Sequence, residues 1–348
     1  MTTLTKAPAG TGDRCTRRGA GVVRNLLLLS AGLVLLVLVI LASVMFGSRA
    51  TSVAEVLDVL SGSADPYVAT VVESRYPRTV LGVLAGLCLA VAGALMQGVS
   101  RNPLAEPGLL GINTGAAAGV VTATAFLGAT SATEAVWWAL PGALLAGLLV
   151  HLIGSAGGGT SLVRLVLAGA VLSAVLTAFI QAVTLSRPQV FDSYRYWVVG
   201  ALGGRDFDVF TAVLPFALAG LAVAALLASG LNALALGDES ATSLGANPAL
   251  LRGGGLLAAT LLAAAATAAV GPIAFVGLAV PHVVRALVGV DFRLQFAFCA
   301  IAGPILLLLA DIVGRVLLRP QELMVGVVTA FLGAPALLLA VRRMKGAS

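Results

Sequence analysis

The chain has 348 residues, of which 59% are apolar and only 10% are charged, against about 25% charged in an ordinary soluble domain. Together with a mean hydropathy of +1.04, this excludes a soluble enzyme, a disordered tail and a disulfide-rich secreted scaffold, and indicates an all-α polytopic membrane protein. The net charge of +6 does not indicate a nucleic-acid binder. Lys6 and Lys345 are the only lysines, the arginines stand singly between apolar runs, and no basic face exists. An excess of Arg at the ends of membrane spans accounts for it. Cys15, Cys88 and Cys299 are isolated in sequence, so neither a disulfide framework nor a metal site is encoded.

At roughly 20 residues per span, the length holds about ten transmembrane helices. Residues 1–23 are polar and read as an N-terminal tail. The apolar run 25–46 is too long for a signal-peptide core and lacks a cleavage site, so it reads as an uncleaved first helix. Further spans fall near 78–99, 107–127, 135–154, 162–185, 208–229, 250–270, 273–290, 295–317 and 323–341. The segment 273–290 opens on Gly271-Pro272 and holds Pro281, which predicts a re-entrant half-helix before a proper span. Residues 343–348 form a short C-terminal tail. Ten spans put both termini inside, and Lys/Arg are then more numerous inside than outside.

Between the spans, residues 47–77 lie outside and include a surface helix around 53–60, and the outside segment 186–207 carries Tyr194, Tyr196 and Trp197 as an interfacial aromatic belt. Gly157, Gly158 and Gly159 mark a flexible inner loop. The inner loop 230–249 fits two short helices across the membrane face, bounded by glycines. No P-loop, zinc-protease or nucleophile-elbow motif occurs. Asp311 is the one acid placed well within a span, which is poor material for a proton-coupled carrier. The chain reads as a path driven by something else.

Five segments carry further information. Arg101-Asn102-Pro103-Leu104-Ala105-Glu106-Pro107 cannot be a continuous helix; Asn102 and Leu104 either form a constriction or an ordinary Asn-capped turn. Gly111, Gly115 and Gly119 make a small-residue stripe, for helix packing or for a ligand path. The glycine-bounded stretch 237–245 is either a solvated loop or a grip for a cytosolic partner. His282 reads as a structural histidine. Asp311 and Arg315 are spaced for an i,i+4 pair, and Arg315 alternatively receives a carboxylate from a docking protein.

In order and spacing these segments resemble the permease family of bacterial ABC importers for ferric siderophores, haem and cobalamin. The resemblance runs from about residue 24 to 342 and rests on R-x-P-R, Q-x-x-x-R-N-P-L-A-E-P-G, G-D-E-x-A-x-x-L-G, G-P-I-x-F-V-G-L-x-x-P-H-x-x-R, L-A-D and E-L-x-V-G-V-V-T-A-x-x-G-A-P. It implies a single cobalamin-importer-like permease domain over residues 24–342 in the bacterial cytoplasmic membrane. Its partners would be surrounding lipid, a second permease subunit (a paralogue rather than a second copy), two cytosolic ATPase subunits and an extracytoplasmic siderophore-binding protein. ATP and Mg would sit on the ATPase subunits, with no cofactor or enzyme activity on this chain. The resemblance assigns docking to Arg75 and Arg315, and a cytoplasmic gate to Asn102 and Leu104, with a second narrowing at Thr160 and Ser161. ATPase coupling falls on Gly237, Asp238, Glu239, Ala241, Leu244 and Gly245. The stretch from Asp192 to Gly200 is most similar to the ferric-siderophore branch, of catecholate type. The alternatives are haem or cobalamin as cargo, and, in a different class, an ion-coupled secondary carrier.

Overall fold

A computed structural model describes residues 12–47, 51–129, 131–155 and 162–345. Among the described residues, seven helices are long and apolar enough to cross a membrane: α1 (Gly12–Met45), α4 (Arg75–Ser100), α6 (Ala132–Ser155), α7 (Leu162–Ser186), α9 (Phe207–Ala235), α11 (Pro248–Val270) and α13 (Phe292–Leu317). Three further apolar traverses are α5 (Ile112–Thr122), which a π-turn at Ala123–Leu127 prolongs, α12 (Val276–Val288) and α14 (Val325–Lys345). The rest are short helices at the ends of the bundle: α2 (Val53–Ser61), α3 (Pro66–Glu73), α8 (Pro188–Val198) and α10 (Asp238–Ser243). Ten traverses return the chain to the end where it began, so the bundle has a termini end and a far end.

The surface helix expected near 53–60 is α2, started by a full capping box in which Ser52 and Glu55 satisfy each other's backbone N–H. Other expectations change. α1 begins at Gly12, within the segment read as a tail. Residues 188–198 form a helix whose Trp197 is only 5% exposed, so that indole packs inward and does not join an interfacial belt. The loop 230–249 holds one short helix, α10, and not two, because Pro248 starts α11 directly after the turn 244–247.

α4 is the hub. It packs against α1, α9, α11, α12 and α13, and glycines set its distances. A Cβ on Gly86 would meet the Gly303 carbonyl and Pro304 of α13, and one on Gly93 would overlap the Gly277 backbone of α12. Lipid gives helices no hydrophobic reason to associate, so close backbone approach through small residues does that work. The same device joins α5 to α6, where a Cβ on Gly115 or Gly119 would strike the backbone at Gly142 or Trp138. That settles Gly115 and Gly119 as helix packing, whereas Gly111 lies before α5 and ends the 3-10 turn at a φ of 72°.

Two non-helical segments meet inside the bundle. Residues 102–106 run into a 3-10 turn at Pro107–Leu110, and residues 271–275 precede α12. With 13 residues, α12 is about 20 Å long and falls short of the roughly 30 Å hydrocarbon core. It is therefore the expected half-helix, and the non-helical residues 271–275, which start beside Trp197 at the far end, make up the rest of that traverse. Irregular backbone at such depth must be satisfied by protein. Glu106 does this, its carboxylate accepting the Phe275 N–H at 3.0 Å, and Gln97 donates to the Leu278 carbonyl at 3.3 Å. Phe275 itself takes a positive φ of 71°, a conformation that persists only where its surroundings hold it.

Candidate functional site

The polar residues gather at the two ends of the bundle. At the far end, the sequence R-Y-P-R opens α4, and the last turns of α13 bring Asp311 and Arg315 beside it. Arg78 pairs with Asp311 at 2.8 Å and with Glu322 at 2.8 Å, and Arg315 pairs with Asp311 at 2.9 Å. The i,i+4 pair legible in sequence is thus present, inside a larger network.

Arg75 and Arg315 are not on a rim. They are 5% and 1% exposed within this subunit. Their guanidiniums turn inward onto the end of α1. Arg75 donates to the carbonyls of Val44 and Met45 and to the Thr51 hydroxyl, each at 2.8 Å. Arg315 donates to the Ser43 carbonyl at 2.9 Å and its hydroxyl at 3.0 Å. The last carbonyls of a helix have no partner within it and carry the negative end of its dipole. Two arginines from α4 and α13 therefore cap α1 and tie three helices together. The sequence reading missed this because each contact spans many residues.

At the termini end, α4 stops at Arg101, which takes a positive φ of 51°. Its guanidinium donates to the Leu234 carbonyl at 2.6 Å and to Asp238 at 2.5 Å. Arg252 of α11 reaches the same Asp238 oxygen at 2.8 Å. One carboxylate thus links α4, α10 and α11. Burial works slightly against its charge, but Arg252 and Arg101 hold the Asp238 carboxyl below the usual carboxylate range.

The residues assigned to coupling make up α10 and its two turns. Gly237 and Gly245 both need positive φ. Asp238 and Glu239 occupy the first turn, where acids suit the dipole. Ala241 is fully buried and anchors the helix, while Leu244 projects with 67% of its surface exposed. The structure therefore presents a short, anchored helix with an apolar tip.

Asn102 forms a side-chain turn, its Oδ1 accepting the Leu104 N–H at 3.0 Å, and Leu104 is exposed. The turn geometry of the Asn is present, and the exposed Leu104 faces outside this subunit's own packing. Thr160 and Ser161 lie outside the described residues. Among the described residues, no group of three or more His, Cys, Asp or Glu could hold a metal ion. Glu106, whose carboxylate joins the two non-helical segments, is the internal acid that the sequence reading left without a role.

The described residues thus form a helical bundle around a glycine-lined hub, α4, with a small helix at one end and a capped charge cluster at the other. The comparisons give the class. The profile of the FecCD transport family matches residues 35–343, and the chain belongs to that family. It is 47% identical over 316 residues to the ferric enterobactin transport system permease protein FepD of Escherichia coli, covering 90% of this chain and 94% of that one. It is 35% identical over 335 residues to the hemin transport system permease protein HmuU of Yersinia pestis, covering 93% and 98%. A solved chain of an ABC transporter of the metal-chelate type, in an inward-facing conformation, superposes with a TM-score of 0.80 at 27% identity over 91% of this chain and 99% of that one. The protein is the membrane permease of a bacterial ABC importer for siderophore, haem, citrate or cobalamin cargo. Such a permease works with a second permease, ATPases and a substrate-binding protein, and resides in the inner membrane.

Proposed function

We propose that this chain imports ferric siderophores of the catecholate type. The observation that carries this reading is the 47% identity with a ferric enterobactin permease along 90% of the chain. The absence of a metal-holding group among the described residues suits a cargo carried as an intact chelate. The termini end faces the cytoplasm on this reading, which puts α10 and the exposed Leu244 against an ATPase subunit. The second permease subunit is a paralogue, and the path runs between the two. ATP and Mg act on the ATPase subunits, and this chain carries no enzyme activity.

Asn102 and Leu104, with Thr160 and Ser161, form the cytoplasmic gate. The binding protein docks at the far end, where Arg75 and Arg315 shape the surface from beneath by fixing the end of α1. ATP and the docked binding protein each favour a different conformation, which is the physical requirement for alternating access. Asp238 carries the ATPase motion to α4 through Arg101 and to α11 through Arg252.

The test is uptake of radio-iron as ferric catecholate, ferric hydroxamate, ferric citrate and haem, with cobalamin in parallel, in cells with and without the chain. Loss of ferric catecholate uptake alone is the expected result. Unchanged catecholate uptake with loss of haem or cobalamin uptake overturns the cargo and leaves the permease class intact. Uptake that persists without any ATPase subunit would return the secondary-carrier alternative.

A further inference from the structure

The far end holds an arginine that the docking and coupling roles leave unused. Arg205 sits in the turn between α8 and α9, flanked by Gly200 and Gly204 at positive φ. Three other guanidiniums at this end are committed: Arg78 to Asp311 and Glu322, Arg315 to Asp311, and Arg195 to Asp192. Among the described residues Arg205 has no acidic partner, and its Nε is buried without a hydrogen bond. Burial lowers its pKa with nothing to offset that cost. The residue as a whole is half-buried, and a partly desolvated cation without a counter-charge nearby makes physical sense if an anion arrives.

A second orphan lies beside it. Arg205 lines a cavity of about 300 Å³ together with Trp197, Ser131, Ser193 and Tyr196. The Trp197 indole Nε1 is also buried without a partner, and indole N–H groups in a protein interior normally find one. Hydroxyls supply further donors, and no carboxylate lines the cavity. The wall therefore offers positive charge, hydrogen-bond donors and aromatic surface, and repels nothing negative.

We propose that this cavity receives an anionic oxygen group of the incoming chelate, with the Arg205 guanidinium as its principal donor and Trp197 as part of its aromatic wall. On the reading given under Proposed function, on which this inference rests, that group is one catecholate arm. The cavity has room for a single planar ring with its oxygens. It is a recess and not a flat rim, which favours a small planar anion over the carboxylate of a docking protein. Arg205 thereby draws the cargo off the binding protein and orients it at the mouth of the path.

The experiment uses the complete importer with its second permease and ATPases in proteoliposomes, fed by its binding protein loaded with a ferric tris-catecholate. Arg205→Gln, Arg205→Lys and Trp197→Phe are compared with wild type for transport rate, binding-protein affinity and thermal stability. Arg205→Gln is expected to lower transport about tenfold, the loss of one charge-assisted contact. Binding-protein affinity should stay within about twofold of wild type, and Arg205→Lys should restore part of the rate. Removing an uncompensated buried charge should also leave the complex as stable as wild type or more stable, which a purely structural role for Arg205 would not do. Equal transport by Arg205→Gln and wild type overturns the inference. So does a loss of binding-protein affinity that accounts for the whole loss of transport, since the guanidinium would then meet the docking protein. Wild type that carries no ferric tris-catecholate overturns the cargo reading instead; an Arg205→Gln defect on whichever anionic chelate it does carry would still support the cavity as an anion site.

Discussion

At the far end Asp311 holds Arg78 and Arg315 inside the helix bundle, whereas at the termini end Asp238 holds Arg101 and Arg252 where water reaches all three. At the centre of each cluster one carboxylate is shared by two guanidiniums, with Glu322 adding a second carboxylate to Arg78 at the far end. Burial separates them. The side chains of Asp311 and Arg315 are each 1% exposed, while that of Asp238 is 45% exposed. A buried pair costs much to form and more to leave half-made, and an exposed pair contributes little and can open and close. The far end is accordingly built as a frame that fixes α1, α4 and α13, and the termini end as a joint between α4, α10 and α11. A transporter needs both: a docking face that keeps its shape, and a contact that transmits motion.

Breaking the frame should have the largest effect. Asp311→Asn leaves Arg315 and Arg78 desolvated with one carboxylate fewer, and we expect a loss of about 3–5 kcal/mol of stability. Thermal unfolding in detergent micelles reads this directly, and a melting curve unchanged from wild type would show that the far end is not a frame. Next in size is the rod between the two ends. Gly93→Val places side-chain atoms where the backbone of Gly277 already lies, which forces α4 and α12 apart at a cost of about 1–3 kcal/mol. Transport should fall even where folded protein is recovered, because α4 carries Arg78 at one end and Arg101 at the other. Asp238→Asn should behave in the opposite way to Asp311→Asn. Stability should change by less than about 1 kcal/mol, while ATP-driven transport falls about tenfold, equivalent to about 1.4 kcal/mol of lost coupling. Equal effects of the two variants on stability would erase the distinction between frame and joint.

Much of this architecture was legible in the sequence, and what was missed has a common cause. Hydropathy located the spans because each is a continuous local run. The surface helix near 53–60 was expected, and the spacing of Asp311 and Arg315 announced their pair, since both are features local to a turn or two of helix. Arg78 and Asp311 are 233 residues apart, and no periodicity reports such a contact. Without it, Arg75 and Arg315 looked like surplus outward charge, when in fact they satisfy the orphan carbonyls at the end of α1. The membrane sharpens that error: an arginine at a span boundary reads as solvent-facing, yet the unpaired carbonyls of a neighbouring helix are an equally good destination. Pro103, Pro107 and Pro272 correctly marked broken helices. That Glu106 would bridge two of those breaks depends on how α4 and α12 pack, which their glycines decide only in three dimensions.

The smallest expected effect concerns what perturbs the joint without a mutation. Asp238 has its pKa held below that of an ordinary carboxylate by Arg252 and Arg101. A group whose folded pKa is depressed contributes stability that is fully present above its unfolded value, about 3.9 for Asp, and is lost as pH falls through the folded value. Between about pH 7 and pH 5 the joint should therefore hold, and acidification in that range should not uncouple ATP hydrolysis from the loaded binding protein through Asp238. Salt acts differently. Raising ionic strength from about 0.1 M to 1 M shortens the screening length from about 10 Å to 3 Å, which weakens exposed pairs and leaves the buried Asp311 network nearly untouched. Coupled ATPase activity should thus decline with salt while the melting temperature changes little. In Asp238→Asn, which has no ion pair left to screen at this joint, the salt dependence of coupling should flatten. A salt dependence identical in wild type and variant would mean that the charge sensed lies elsewhere, and the joint would have to be sought in other contacts of α10.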